Sequence, residues 1–157
     1  MSEVIINNTR VKLEGGEIYS FIKRYSCKVC KWYLLKGWDT VRGYKELCIN
    51  NKTYKYHRVI YKLHNHDWDI TNFSPNNHID HIDRDTSNNN INNLRVVSNQ
   101  QNTFNTSCKG YSWHKKSNKW RALIRINGES KHLGLFDVEQ EARNAYLAAK
   151  KIYHIID

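Results

Sequence analysis

Two short segments rich in branched residues, 79–82 and 93–97, flank a run from Asp83 to Asn90 that is almost wholly polar. Such a run cannot enter a core without stranding its polar groups, so it reads as a loop, and its flanks read as strands. Directly after the second flank, Ser98-Asn99-Gln100-Gln101 has the form of a capping box. There the serine hydroxyl and the glutamine side chain close the first turn of a helix reciprocally. A helix is predicted through about Phe104. Strand, polar loop, strand and helix in immediate succession leave this stretch little choice but a hairpin beside a helix.

The rest of the chain reads around that unit. Strands are predicted over 17–23, 29–35 and 43–50, and a short helix over 54–64, where Val59, Ile60 and Leu63 share one face. Residues 66–77 form a loop around Pro75, the one proline. After Thr106-Ser107 a new unit begins. Its strands are predicted over 109–115, 119–126 and 130–136, with Asn127-Gly128 as a hairpin turn in which both residues take positive φ. Asp137-Val138-Glu139-Gln140 is a second capping-box candidate. It opens a helix to about Tyr153, on which Ala142, Ala145, Tyr146, Ala149, Ile152 and Tyr153 keep helical spacing. The predicted class is α+β. A domain over 1–107, with its core motif at 78–105, precedes a domain over 108–157 built of a three-stranded antiparallel sheet packed on one helix.

Charge narrows the range of functions. The chain of 157 residues carries a net charge of +10. Residues 1–78 hold 13 basic and 7 acidic side chains, residues 79–107 hold 2 and 3, and residues 108–157 hold 10 and 5. A slightly acidic centre between two basic blocks suits a cation site flanked by phosphate-binding surfaces. The N-terminus lacks a basic region followed by an apolar run, and no stretch approaches the roughly 20 apolar residues of a membrane span. An intracellular protein is expected, with no membrane association and no obligate protein partner evident. Cys27, Cys30, Cys48 and Cys108 form no dense disulfide framework. Cys27-x-x-Cys30 lacks the second short-spaced pair that a four-ligand zinc site needs, so no structural zinc is expected.

The central unit carries residues suited to phosphodiester hydrolysis. That reaction needs a base for water, a cation for the developing charge, and a group that orients the base. His81 can be the base, since an unperturbed imidazole exchanges its proton near neutral pH. Asp80 and Asn102 offer two oxygen ligands for a hard cation such as Mg²⁺, with Mn²⁺ as an alternative, and Asn93 on the return strand can orient His81. Neighbours on a strand point to opposite faces, so Asp80 and His81 need a local twist or different jobs.

The run Ile79-Asp80-His81-Ile82-Asp83, with Asn92-Asn93-Leu94-Arg95-Val96-Val97 and Asn99-Gln100-Gln101-Asn102, closely resembles the ββα-metal motif of HNH endonucleases, of the kind found in homing enzymes of mobile elements and large viruses. The resemblance implies His81 as general base, Asp80 and Asn102 as metal ligands, and Asn93 as the central asparagine. It also implies 5′-phosphate and 3′-hydroxyl products. Tyr56-His57-Arg58-Val59-Ile60 is similar to the His-Arg-Leu-Val segment that precedes the motif in many members, and Arg58 is an expected DNA contact. His57 has a supporting, phosphate-contacting or packing role. The chain departs from the family at Arg84, where members often carry glycine. If that position needs positive φ, arginine is strained there.

In the last unit, Trp120, Ala122, Ile124 and Ile126 alternate with Arg121, Leu123, Arg125 and Asn127. The first set should pack on the Ala-rich helix and leave both arginines outward. Arginine grips phosphates and reads guanine edges, and a sheet can enter the major groove. Lys109-Gly110-Tyr111-Ser112-Trp113, residues 119–125, His132-Leu133-Gly134-Leu135-Phe136 and Glu141-Ala142 resemble the DNA-binding domain of plant ethylene-response factors, the Apetala-two type. The expected DNA-facing residues are Lys109, Ser112, His114, Arg121, Arg125 and His132. Trp113 and Trp120 are read as core. His64, His66 and His78 are read as surface residues. The expected activity is metal-dependent cutting of duplex DNA. The alternatives are a decayed nuclease acting as a DNA-binding regulator, and a binder of structured RNA.

Overall fold

The computed structural model describes residues 3–24 and 29–156, so Cys27 lies outside the described residues. The chain parts into two compact units, Met1–Val96 and Val97–Asp157. Small antiparallel sheets and three α-helices make up the described residues, an arrangement compatible with the α+β class. None of these helices is long and apolar enough to cross a membrane.

The first unit starts with a sheet in the order β1 (Glu3–Ile6), β2 (Thr9–Glu14), β3 (Glu17–Arg24) and β4 (Val29–Leu34). A second sheet follows, β5 (Trp38–Asp39), β6 (Lys45–Ile49) and β7 (Lys52–Lys55). The sequence reading did not anticipate β1, β2, β5 or β7. Their tight turns use paired left-handed residues: Asn7 and Asn8, Gly15 and Gly16, Asn50 and Asn51. Asparagine tolerates this conformation because its short amide bonds locally. Two of the turns also lock together. Asn7 Nδ2 donates to Asn50 O at 2.9 Å, and Asn50 Nδ2 donates to Asn7 O at 3.0 Å.

Helix α1 (Tyr56–His64) holds both sheets. Its Val59, Ile60 and Leu63 join Val4, Ile6, Val11 and Ile18 of the first sheet and Leu47, Ile49 and Tyr54 of the second in one core. Each such side chain stabilises the fold by about 1.5–3 kcal/mol through burial. Strand β8 (His78–His81), a 3-10 turn (Ile91–Asn93) and β9 (Leu94–Val97) follow, and Leu94 enters the same core.

Helix α2 (Asn99–Phe104) begins with the predicted capping box: Gln101 N donates to Ser98 Oγ at 3.1 Å and Ser98 N donates to Gln101 Oε1 at 2.9 Å. By its contacts α2 belongs to the second unit. Phe104 stacks on His154 with ring centroids 4.0 Å apart, and Gln100 Nε2 donates to Asn127 Oδ1 at 2.7 Å. The sheet there runs β10 (Tyr111–His114), β11 (Lys119–Ile126) and β12 (Glu129–Phe136), covered on one face by α3 (Glu139–Tyr153). Ile124 packs with Tyr146 and Ala149 as the sequence alternation requires. The Asn127-Gly128 turn has φ of 52° and 85°.

Two expectations fail here. The second capping box does not form: α3 starts at Glu139 behind an extended Val138, with no side-chain cap bond. Asp137 instead pairs with Lys119 at 3.1 Å. Trp113 is not core. It is 43% exposed and packs edge-on against Trp120 at 5.5 Å. Its strand is at the sheet edge, where the ring has a cross-strand neighbour on one side only.

Gly110 shows how closely the second unit is packed. It has φ of 68°, and a Cβ added there would lie 2.0 Å from the Tyr146 ring. Gly110→Ala should therefore lower stability by roughly 2–4 kcal/mol, from left-handed strain of about 1 and overpacking of about 1–3. Urea denaturation followed by circular dichroism measures this, and an unchanged midpoint would refute it.

Candidate functional site

Strand β8 places Asp80 and His81 side by side in sequence, and both are buried. Strand alternation sends them to different neighbours. Asp80 Oδ2 accepts two hydrogen bonds from Arg95 on β9, from Nε at 3.0 Å and Nη2 at 2.9 Å. Two charge-assisted bonds to one oxygen anchor that end of the carboxylate on β9. Sequence reasoning did not single out Arg95, because its partner is set by strand pairing across the loop.

His81 turns toward α1. Its ring meets His57 edge-on with centroids 5.0 Å apart, and Tyr44 lies 6.1 Å from His81 and 5.5 Å from His57. Asn89 Oδ1 lies 3.3 Å from His81 Nε2, where an oxygen acceptor favours the tautomer with the proton on that nitrogen. His57 and His81 are each 4% exposed. Burial, followed by the charges of His81, Lys55 and Arg58, lowers the His57 pKa from 6.5 to about 3. His57 is therefore a neutral ring at physiological pH. Of the three roles open to it, burial against His81 favours support of the hairpin.

The polar loop supplies its own hydrogen bonds. Asn93 Nδ2 donates to Asp83 Oδ1 and to Asn88 O, both at 2.9 Å, and its Oδ1 accepts from Asp83 N at 3.0 Å. Asn93 O accepts from Ile82 N at 2.9 Å. Asn93 thus fastens the residues that follow His81, with its side chain directed to the loop. Bonds from Asn88, Asp85 N and Asn93 hold the Asp83 carboxyl below the usual carboxylate range, and bonds from Ser87 do the same for Asp85. Arg84 takes φ of 68°, the left-handed conformation in which arginine is strained. Thr86 Oγ1 donates to Gly43 O at 3.0 Å and ties the loop to the turn after β5.

Arg58 is the correction at this site. The expected DNA contact is 7% exposed. It donates to the carbonyls of Asn77, Ile70 and Asn72 at 3.0, 2.9 and 3.1 Å and lies between the Trp68 and Phe73 rings. It organises the segment leading into β8 and is not presented to a phosphate.

Asn102 lies half-buried on α2. Among the described residues no three His, Cys, Asp or Glu side chains gather as a metal site. Asp80 is nevertheless a suitable hard donor for a divalent cation, and an amide oxygen falls outside that residue set.

In the second unit, strand register sorts the expected DNA-facing residues. Ser112 pairs with Arg121, His114 with Lys119, Leu123 with His132 and Arg125 with Ser130. Directly paired residues share a face. Ser112, His114, Arg121, Arg125 and His132 therefore lie on the face opposite Ala122 and Ile124, which pack toward α3. Arg125 and His132 are exposed, and Arg121 is half-buried with its Nε lacking a hydrogen bond. Lys109 is exposed just before β10. His64 and His66 are exposed and His78 is half-buried.

Residues 54–104 match the family model of the HNH endonuclease. The matched span runs from the residues before α1 through α2 and includes Asp80, His81, Asn93 and Asn102. The match supports a nuclease, and nucleic acid as its substrate. No curated protein and no solved structure matches the chain.

The buried His57 has a measurable consequence. Its unfolded pKa is near 6.5 and its folded pKa about 3, so between these values the unfolded chain binds the extra proton. Its contribution to stability is intact above pH 6.5 and declines toward pH 3, at up to roughly 1.4 kcal/mol per pH unit. In urea melts from pH 7 to pH 4, His57→Phe should lose stability less steeply than the wild type. Equal slopes would mean that the imidazole is not held neutral.

Proposed function

We propose that the chain is a divalent-metal-dependent endonuclease that cuts duplex DNA, of the homing or mobile-element type. The observation that carries this reading is the Asp80-His81 pair, each side chain buried and separately oriented, inside the span that matches the HNH endonuclease family. In this reading His81 removes a proton from the attacking water. Asn89 and the neutral His57 ring orient the imidazole, and Asn93 keeps the following loop in place. Asp80, held by Arg95, and Asn102 on α2 would hold Mg²⁺ or Mn²⁺. A bound cation supplies charge stabilisation at the phosphate and the departing 3′ oxygen.

We further propose that residues 1–107 form the cutting domain and residues 108–157 a DNA-binding domain of the Apetala-two type. Its open sheet face, with Ser112, His114, Arg121, Arg125 and His132, would meet the duplex beside Lys109. Tethering the two activities raises the effective concentration of the cutting site at bound DNA. The basic balance of residues 108–157 supports this reading.

Supercoiled plasmid treated with Mg²⁺ should be nicked or linearised by the wild type. Cutting should be lost with EDTA, and His81→Ala should reduce it at least a hundredfold, the scale of a positioned acid–base group. DNA binding without any cutting would favour the regulator reading. Separately, Arg121→Ala/Arg125→Ala should weaken duplex binding in fluorescence anisotropy and make the salt dependence shallower by about two phosphate contacts. An unchanged salt slope would remove these residues from the interface.

A further inference from the structure

The turn joining β5 to β6 stands beside the candidate base, and the cutting mechanism makes no use of it. Thr40, Val41, Arg42 and Gly43 form a tight turn closed by Gly43 N to Thr40 O at 2.9 Å. Thr40 N to Tyr44 O at 2.7 Å and Tyr44 N to Thr40 Oγ1 at 3.2 Å close it again at its base. A third tie is the bond from Thr86 to Gly43 O. Gly43 has φ of 77°, and a Cβ added there would lie 3.0 Å from Thr86 Oγ1, so turn and loop approach closely and a larger residue would be strained. The turn is thus fastened to the polar loop on one side. On the other, Tyr44 packs against His57 and His81.

What this braced turn displays is unusual. Turn centres favour Gly, Pro, Asn, Asp and Ser. Here the centre is Val41, 107% exposed, followed by the exposed Arg42. The guanidinium of Arg42 makes no hydrogen bond or ion pair among the described residues, unlike Arg58 and Arg95 of the same unit. An apolar tip beside a free arginine is a pairing used by proteins that enter the minor groove, where arginine reads the groove and an apolar group wedges at the base steps. Tyr44 is three residues on from Val41, a span of at most about 11 Å of chain. Duplex DNA carries one charge per roughly 1.7 Å of axis, so DNA presenting a phosphate to His81 brings further phosphates within that span.

We propose that the Val41–Arg42 turn is a DNA-contacting element that grips the duplex beside the bond being cut, Arg42 binding backbone or minor-groove acceptors and Val41 packing against the groove wall. This rests on the nuclease reading for its adjacency to the cut, whereas contact with DNA can be measured independently of cutting. The full-length protein is used throughout. Supercoiled plasmid tests the cutting of wild type, Arg42→Ala and Val41→Asp, each first shown to melt like the wild type. Restriction fragments of the same plasmid test contact, using a photoreactive benzoylphenylalanine at position 42 in a His81→Ala background, with the same group at the exposed Ile5 as the comparison.

Position 42 should crosslink to duplex DNA well above position 5, and both variants should cut roughly tenfold more slowly than the wild type. Crosslinking at 42 without any cutting by the wild type would keep the DNA contact and overturn the nuclease reading. Cutting by the wild type, with no excess crosslinking at 42 and equal rates in both variants, would overturn the contact alone. Absence of both cutting and crosslinking would overturn both.

Discussion

Burial of one face of α1 is the constraint on which the first unit depends. Val59, Ile60 and Leu63 have no other means of leaving water, and both N-terminal sheets supply the apolar surface that covers them. Once that face is buried, the preceding helical residues His57 and Arg58 go inside as well. Each is accommodated by its chemistry: His57 by remaining uncharged, Arg58 by donating to three backbone carbonyls between two aromatic rings. A buried arginine without such partners would be strongly destabilising. His81 is consequently packed against the core of its own unit, which limits the rotamers available to it.

The second organising device is polar. The loop from Asp83 to Asn92 contributes no residue to the buried apolar core and is shaped by short side chains that bond backbone groups two residues away. Asn93 closes it by using both ends of its amide. Such a network resists distortion because each bond defines the geometry of the next. It accommodates Arg84 in a left-handed conformation whose cost, on the order of 1 kcal/mol, the surrounding bonds offset. Rigidity of this kind suits a site that has to hold its groups in place before substrate arrives.

Much of the architecture was legible in the sequence where the signal is local. Asn127-Gly128 specifies a left-handed pair, Ser98-Asn99-Gln100-Gln101 specifies a reciprocal cap, and the alternation along 119–126 specifies which side of β11 meets a helix. The N-terminal hairpins were less legible because their strands are short and mixed in composition, although Asn7-Asn8, Gly15-Gly16 and Asn50-Asn51 carried the turn signal. Asp137 misled because a capping pattern does not reveal a competing lysine across the sheet. Trp113 misled because its size suggests burial while its place on an edge strand limits it.

By itself, the sequence determined the order of strand, polar loop, strand and helix, the residue types at Asp80, His81, Asn93 and Asn102, and the sorting of Arg121 and Arg125 away from Ala122 and Ile124. These follow from turn chemistry and from the periodicities of strand and helix, which act over a few residues. Only the tertiary structure decided that Arg95 holds Asp80, that Tyr44 and His57 wall His81, that Arg58 is internal, and that Thr86 fastens the Val41–Arg42 turn beside the site. Those contacts join residues far apart in the chain. They depend on how sheets and helix close around a shared core, and no local pattern encodes that closure.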